Sequence, residues 1–158
     1  MNQNFQIRWV TTLDSPSQIC LDQLWLEIQN RYGFQAPNSM DFQDFLPPKG
    51  KFFLAESKET KEAMGSAAYS KFDETKCELD AVYVFPQFRK SKIATSLLVE
   101  LEKNAMLVGY KSMILRAGAP QPEALKLYQN FGFREIPTFG KWVSDPTAIC
   151  FEKTISGS

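Results

Sequence analysis

A chain of 158 residues is the length of one domain, and 44% apolar residues with thirteen Phe supply a core without staples; folding at that size buries roughly 70% of the unfolded surface. Eighteen basic residues balance eighteen acidic ones, which argues against a general nucleic-acid binder, since that needs a basic face. There is no histidine, and the three cysteines, Cys20, Cys77 and Cys150, are scattered. Ser-His and Cys-His nucleophiles, His bases and thiolate zinc sites are thereby excluded, leaving acid-base chemistry to Asp, Glu, Tyr, Lys, Cys or water.

The N-terminus MNQNFQIRWV has no apolar signal-like stretch, and no apolar run approaches the roughly 20 residues that span a bilayer. With an odd number of distant cysteines, the expectation is a cytoplasmic protein with free thiols, no metal and no membrane partner. No repeat, low-complexity segment or long linker divides the chain, so residues 1–158 read as a single domain.

FQIRWVTT alternates and reads as a strand. In SPSQICLDQLWLEIQNRYGF, Ser15 offers a cap, Pro16 suits the first turn and Gln18 completes a capping box. Leu21, Trp25, Ile28 and Tyr32 then trace one helix face, and Gly33 stops it. QAPNSMDFQDFLPPKG is a short helix or loop. KFFLAES and AMGSAAYSKF are strands around the turn KETKE, and CELDAVYVF is a third, closed by Pro86. Helical spacing returns from Ile93 to Val108 before Gly109. KSMILRAG is a strand, QPEALKLYQNFGF a helix ended by Gly132, and FREI and TAICFEKTI are closing strands. Three strands joined by short turns imply antiparallel pairing, and the strand-helix-strand unit over 77–116 implies a parallel pair with a right-handed crossover. The expected fold is α/β, a mixed, mostly antiparallel sheet with helices on both faces.

The junction after Phe85 carries the chemistry. A helix starting near Ser91 points unbonded amides and the positive end of its dipole at anything bound there, beside Arg89, Lys90 and Lys92. Cations at a helix start oppose the dipole, so local sequence leaves two readings open, a phosphate seat or an exposed basic turn. Glu78 and Asp80, two apart on one strand, share a face.

Three features together resemble the GNAT-type N-acetyltransferases, covering residues 77–155 well and the N-terminal half by element order. The family turn, Arg/Gln-x-x-Gly-x-Gly/Ala, stands here as Arg89, Lys90, Ser91, Lys92, Ile93, Ala94, with Lys92 in place of the middle glycine. The LYxxxGF element is intact from Leu127 to Phe133. The YV-P strand end is Tyr83, Val84 and Pro86. Gln121 stands where the family helix often begins with Asn.

The resemblance implies that acetyl-coenzyme A is the co-substrate and that a primary amine attacks its thioester directly. It implies that the strand bulges at Tyr83 to Phe85 and splays from its parallel neighbour to hold coenzyme A, and that the Val84 amide faces the thioester oxygen. The turn from Arg89 to Ala94 would hold the pyrophosphate. Tyr128 would be the general acid. Glu78, at the family's usual Glu position, would be the leading base, with Asp80 second. Lys92 is expected at helical dihedrals, because β-branched Ile93 follows it. The acceptor walls would be aromatic, Phe34, Phe42, Phe45, Phe139 and Trp142, with Asp41, Asp44 and Asp145 for a cation. The expected acceptor is a small-molecule amine or amino acid, with a protein lysine or N-terminus left open. Competing readings are a coenzyme A-binding regulatory module without efficient turnover, motivated by Lys92, and a pure interaction domain. A homodimer is left open.

Overall fold

The computed structural model describes residues 4–155. One seven-stranded sheet runs through it in the order β1-β2-β3-β4-β5-β7-β6. The strands are β1 Phe5–Val10, β2 Gly50–Ser57, β3 Ala63–Lys71, β4 Lys76–Val84, β5 Ser112–Gly118, β6 Arg134–Ile136 and β7 Ala148–Thr154. Every neighbouring pair is antiparallel except β4 and β5. The helices are α1 Ser15–Tyr32, α2 Ile93–Val108 and α3 Pro122–Asn130; a 3-10 turn at Phe42–Phe45 follows α1, and two shorter ones lie at Pro86–Phe88 and Gly140–Trp142. The expected mixed sheet and the parallel pair are present; the insertion of β7 between β5 and β6 was not foreseen.

Strand alternation sends side chains to two cores. Phe52, Leu54 and Ala68 pack with Cys20 and Leu21 of α1 and with Phe42 and Phe45. Phe53, Ala55, Ala67, Cys77 and Leu79 pack with Leu97, Leu98 and Leu101 of α2 and with Tyr128 of α3. Each fully buried leucine contributes about 1.5–3 kcal/mol by leaving water. α1 therefore covers one face of the sheet, and α2 and α3 cover the other.

Two local readings are corrected. Asp14, not Ser15, caps α1: its backbone is extended and its carboxylate accepts from the Ser17 amide at 2.9 Å. Arg8 holds the same carboxylate from its other side. No capping box forms, because Gln18 donates to Asp22 one turn on. The face of Leu21, Trp25, Ile28 and Tyr32 is also divided. Leu21 is core, while Trp25, Ile28 and Tyr32 are half-buried and line a cavity.

β4 is irregular where it matters. Asp80 pairs with Ala68 but Tyr83 pairs with Ser66, so two residues, Ala81 and Val82, oppose Ala67 alone. This is a β-bulge. It lies at Ala81–Val82 rather than at Tyr83 to Phe85. Ala81 has φ 54°, a left-handed conformation costly for a residue with a Cβ. Ser66 Oγ offsets part of that cost by donating to the Ala81 carbonyl at 2.7 Å. Plain alternation puts Val84 on the face of Glu78 and Asp80; the bulge puts it in the other core, with Cys77 and Leu79.

Candidate active site

The parallel pairing of β4 with β5 covers only Lys76 to Glu78 against Ser112 to Ile114. Beyond Glu78 the two strands separate. A cavity of about 870 Å³ lies over the opening, lined from β4 by Glu78 to Val82, from β5 by Leu115 and Arg116, and from α3 by Tyr128. Glu78 and Asp80 belong to the α1 side of the sheet and Tyr128 to the α3 side. They meet in one cavity because the sheet is open between them.

The far end of β4 leads to the basic turn. The Phe85 amide donates to the Met64 carbonyl at 3.0 Å. By strand alternation the Val84 amide then faces away from β3, toward the opening. α2 begins at Ile93, with Lys92 as its N-cap and no capping side chain; the helix starts two residues later than the sequence suggests. Ser96 is the first amide to bond inside the helix, to Lys92. The amides of Ala94 and Thr95 precede that first bond and have no helical acceptor, and that of Ile93 reaches only Ser91 Oγ at 3.4 Å. These donors and the helix dipole favour an anion.

Lys92 has φ −93° and ψ 11°, outside the helical region the sequence suggests but at negative φ, so its backbone conformation does not demand glycine. The left-handed residue of the turn is Lys90, at φ 63°. The Lys92 side chain lines a shallow groove shared with Phe5, Ile7 and Val99, on the β1 side of α2. Arg89 is committed inward. Its Nε donates to the Val84 carbonyl at 2.7 Å, its Nη2 pairs with Glu27 at 2.6 Å, and it lies over the Tyr83 ring. Arg89 therefore fastens the turn to β4 and α1. Gln121 is the N-cap residue of α3, and its side-chain amide oxygen Oε1 accepts from the Tyr32 hydroxyl at 2.8 Å.

The Tyr128 ring packs edge-on to Phe133 at 5.7 Å and against Phe151 at 6.4 Å. Burial raises its hydroxyl pKa, and the negative charge of Asp80 adds to the rise. Glu78 Oε2 accepts from the Trp142 indole N–H at 3.3 Å. Asp80 is crowded by the cavity walls but open to the cavity mouth by exposed area, and that exposure limits the effect. That crowding, before any other cause, pushes its carboxyl up to about 6; the Ala81 amide, donating to Oδ1 at 2.7 Å, pulls it down, and Glu78 adds to the rise.

Phe34, Phe45 and Trp142 line the cavity as expected, with Trp25, Tyr32 and Phe72 beside them. Phe42 and Phe139 do not line it: Phe42 packs on Phe52 and Phe139 edge-on to Phe72. Asp41, Asp44 and Asp145 are all in the wall. Asp145 is already neutralised by Arg116 at 2.9 Å, and Arg116 also meets Thr147 and the Tyr32 hydroxyl. The sequence reading missed Arg116, whose only signal was a lone cation in an otherwise apolar strand.

Residues 18–133 match the family model for the Acetyltransferase (GNAT) family. The chain is 27% identical to an IAA acetyltransferase of Azospirillum brasilense over 146 residues, covering 90% of this chain and 95% of that protein. A protein described as an acyl-CoA N-acyltransferase from Klebsiella pneumoniae superposes with a TM-score of 0.80 at 22% identity, covering 96% of this chain and 97% of that one. A GNAT family acetyltransferase from Elizabethkingia anophelis, solved with acetyl-CoA bound, superposes with a TM-score of 0.70 at 20% identity, covering 97% and 99%. At such identities the structural likenesses establish the fold. No helix among the described residues is long and apolar enough to cross a membrane.

Proposed function

The chain belongs to the GNAT acetyltransferase family and is an acyl-CoA-dependent N-acetyltransferase; on that premise we propose that it moves the acetyl group of acetyl-coenzyme A onto a primary amine of a small molecule or amino acid. The observation that carries this reading is the single cavity at the opening between β4 and β5, which holds Tyr128, Glu78 and Asp80 together. The pyrophosphate sits on the amides of Ser91 to Ala94, with Lys90 and Lys92 adding exposed charge. The pantetheine arm lies along the unpaired edge of β4, beside Tyr83 and Val84, as an added strand does. The Val84 amide steadies the thioester oxygen as it gains charge. The carboxylate pair receives the proton of the amine, and Tyr128 supplies one to the departing sulfur. Arg89 and Gln121 shape the site from behind through Val84 and Tyr32.

An aromatic wall with acidic groups around a cleft of small-molecule size favours a compact amine over a folded protein surface. The negative φ of Lys92 removes the backbone reason for the alternative, a coenzyme A-binding module without turnover.

Calorimetry with coenzyme A, followed by release of free thiol across a panel of amines and amino acids, tests the proposal. At 100 times its dissociation constant the ligand adds about 2.7 kcal/mol of stability. No binding at millimolar coenzyme A overturns the reading; binding without turnover on any amine favours the regulatory alternative.

A further inference from the structure

Glu78 and Asp80 are equivalent by alternation, but the structure separates them. Glu78 is the last β4 residue paired with β5, and Asp80 is the first acidic residue of the cavity wall beyond that pairing. Glu78 accepts from the Trp142 indole. That bond ties β4 to the loop between β6 and β7, which Phe139 also anchors by packing on Phe72. Asp80 spends one oxygen on the Ala81 amide, inside the bulge, and its carboxylate forms no ion pair among the described residues. It is also the acid whose charge the Tyr128 hydroxyl feels.

We propose that Asp80 takes the proton of the incoming ammonium, and that Glu78 is a positioning residue that holds Trp142 and the closing loop. The proposal rests on the acetyltransferase reading and reverses the assignment that the family position of Glu78 suggests.

The protons balance. The ammonium gives one proton to Asp80, and the neutral nitrogen forms its bond to the thioester carbon. The carbon–sulfur bond breaks, and the sulfur takes the Tyr128 proton. The second proton lost by the nitrogen returns to Tyr128, and Asp80 releases its own to cavity water. One proton leaves per turnover.

The charged and titratable groups around Asp80 come from each packed element: Glu78 on β4, Asp44 on the 3-10 turn, Lys141 on the closing loop and Tyr128 on α3. Crowding by the cavity walls keeps the Asp80 carboxyl above its ordinary range; Glu78 and Asp44 add to the rise, and the Ala81 amide and Lys141 oppose it. Its working window opens as pH rises through about 6.

The test pairs two isosteric variants. Asp80→Asn keeps an oxygen for the Ala81 amide and cannot accept the proton; Glu78→Gln keeps an oxygen for the indole. With acetyl-coenzyme A and 2-phenylethylamine as the probe, wild-type kcat/KM, which reports the amine-free protein, rises about tenfold per pH unit and levels off near 6. Asp80→Asn is expected to lose about 100-fold or more in kcat, together with that limb, with coenzyme A affinity unchanged. Asp80→Glu recovers part of the loss. Glu78→Gln loses about three- to tenfold and keeps the limb. Carboxyl-carbon NMR of the coenzyme A-bound protein reads the same point without turnover: Asp80 titrates near 6, and the Tyr128 ring carbon signal moves with the same midpoint. An Asp80 midpoint near 4, or a limb lost in Glu78→Gln and kept in Asp80→Asn, overturns the proposal. Failure of coenzyme A to bind overturns the acetyltransferase reading instead, and the carboxyl titration of the free protein still decides the assignment.

Discussion

At its first three residues β4 is part of a continuous sheet, and at its last residues it is one wall of a cleft. The closed end pairs Lys76 to Glu78 with Ser112 to Ile114. Glu152 of β7 clamps it, accepting from Ser112 at 2.8 Å and from Lys76 at 3.0 Å. The open end has a bulge, a left-handed Ala81, a raised Asp80 carboxyl and an amide at Val84 turned outward. Polar groups at the closed end are satisfied by the fold. At the open end Ser66 and Arg89 take up the Ala81 and Val84 carbonyls, but the outward Val84 amide and the second Asp80 oxygen are left for a ligand, a state that costs stability and supplies function. The two ends are about five residues apart, so function here is a local failure of sheet pairing that the rest of the sheet can carry.

The largest test removes the open end's acid. Tyr128→Phe keeps the contacts with Phe133 and Phe151 and is expected to lower kcat by about 10²–10⁴ with coenzyme A still bound. Steady-state kinetics beside calorimetry separate the two effects. Wild-type turnover in this variant would mean that the sulfur finds its proton elsewhere.

Next in size is the backing of the open end. A Cβ at Gly65 would lie 2.6 Å from the Tyr83 carbonyl oxygen and 3.3 Å from the Val84 Cα. Both are backbone atoms, so the strand must move. Gly65→Ala should cost about 1–3 kcal/mol, and coenzyme A affinity should fall with it, because the Val84 amide shifts. Denaturant melts of the free and coenzyme A-saturated protein measure both. Unchanged affinity would show that the amide position at Val84 does not matter.

A smaller effect is expected at the mouth. Lys92→Gly should change coenzyme A affinity by less than about tenfold, or roughly 1.4 kcal/mol, since the lysine backbone is already unstrained. Lys92→Glu should weaken binding more, and the gap between them should narrow in high salt. Calorimetry at two ionic strengths reads this directly. A glycine variant binding far more than tenfold tighter would mean that the lysine obstructs the phosphate seat.

The smallest effects distinguish the two ends by the sign of their pH response. At Glu152, burial alone would raise the carboxyl pKa, but the hydrogen bonds from Ser112 and Lys76 outweigh it and hold it below its ordinary value of 4.5. Its contribution is present above 4.5 and lost as pH falls through the lowered value. Glu152→Gln should thus cost about 1 kcal/mol at pH 7 and little near pH 3. Asp80 has the opposite sign. Its raised carboxyl contributes stability below its unfolded value of 3.8, lost as pH rises through about 6. Asp80→Asn should therefore melt slightly higher than wild type at pH 7, with the gain gone below pH 4. Thermal melts across this range check both, and parallel responses would erase the distinction between the ends.

Much of the fold was legible because its signals are local. The three helices and seven strands follow from side-chain period, prolines and glycines such as Gly33 and Gly109, whose positive φ is a chain-level requirement. The turn from Arg89 to Ala94 was legible for the same reason: an anion site built from consecutive amides is written in consecutive residues. That Lys92 needs no positive φ followed from its neighbour Ile93.

What the tertiary structure alone decided depends on residues far apart in sequence. The bulge forms where Ser66, on another strand, meets the Ala81 carbonyl, and it moves Val84 to the other core. Glu78 and Asp80 look alike along the chain; the end of the β4–β5 pairing, the bulge amide of Ala81 and Trp142, 64 residues from Glu78, make them different. Tyr128 and Asp80 lie on opposite faces of the sheet and meet because β4 and β5 part between them. Alternation assigns a face to each residue, but it carries no information about where two strands cease to pair, because that depends on the summed packing of α1, α2 and α3 on the two sides of the sheet.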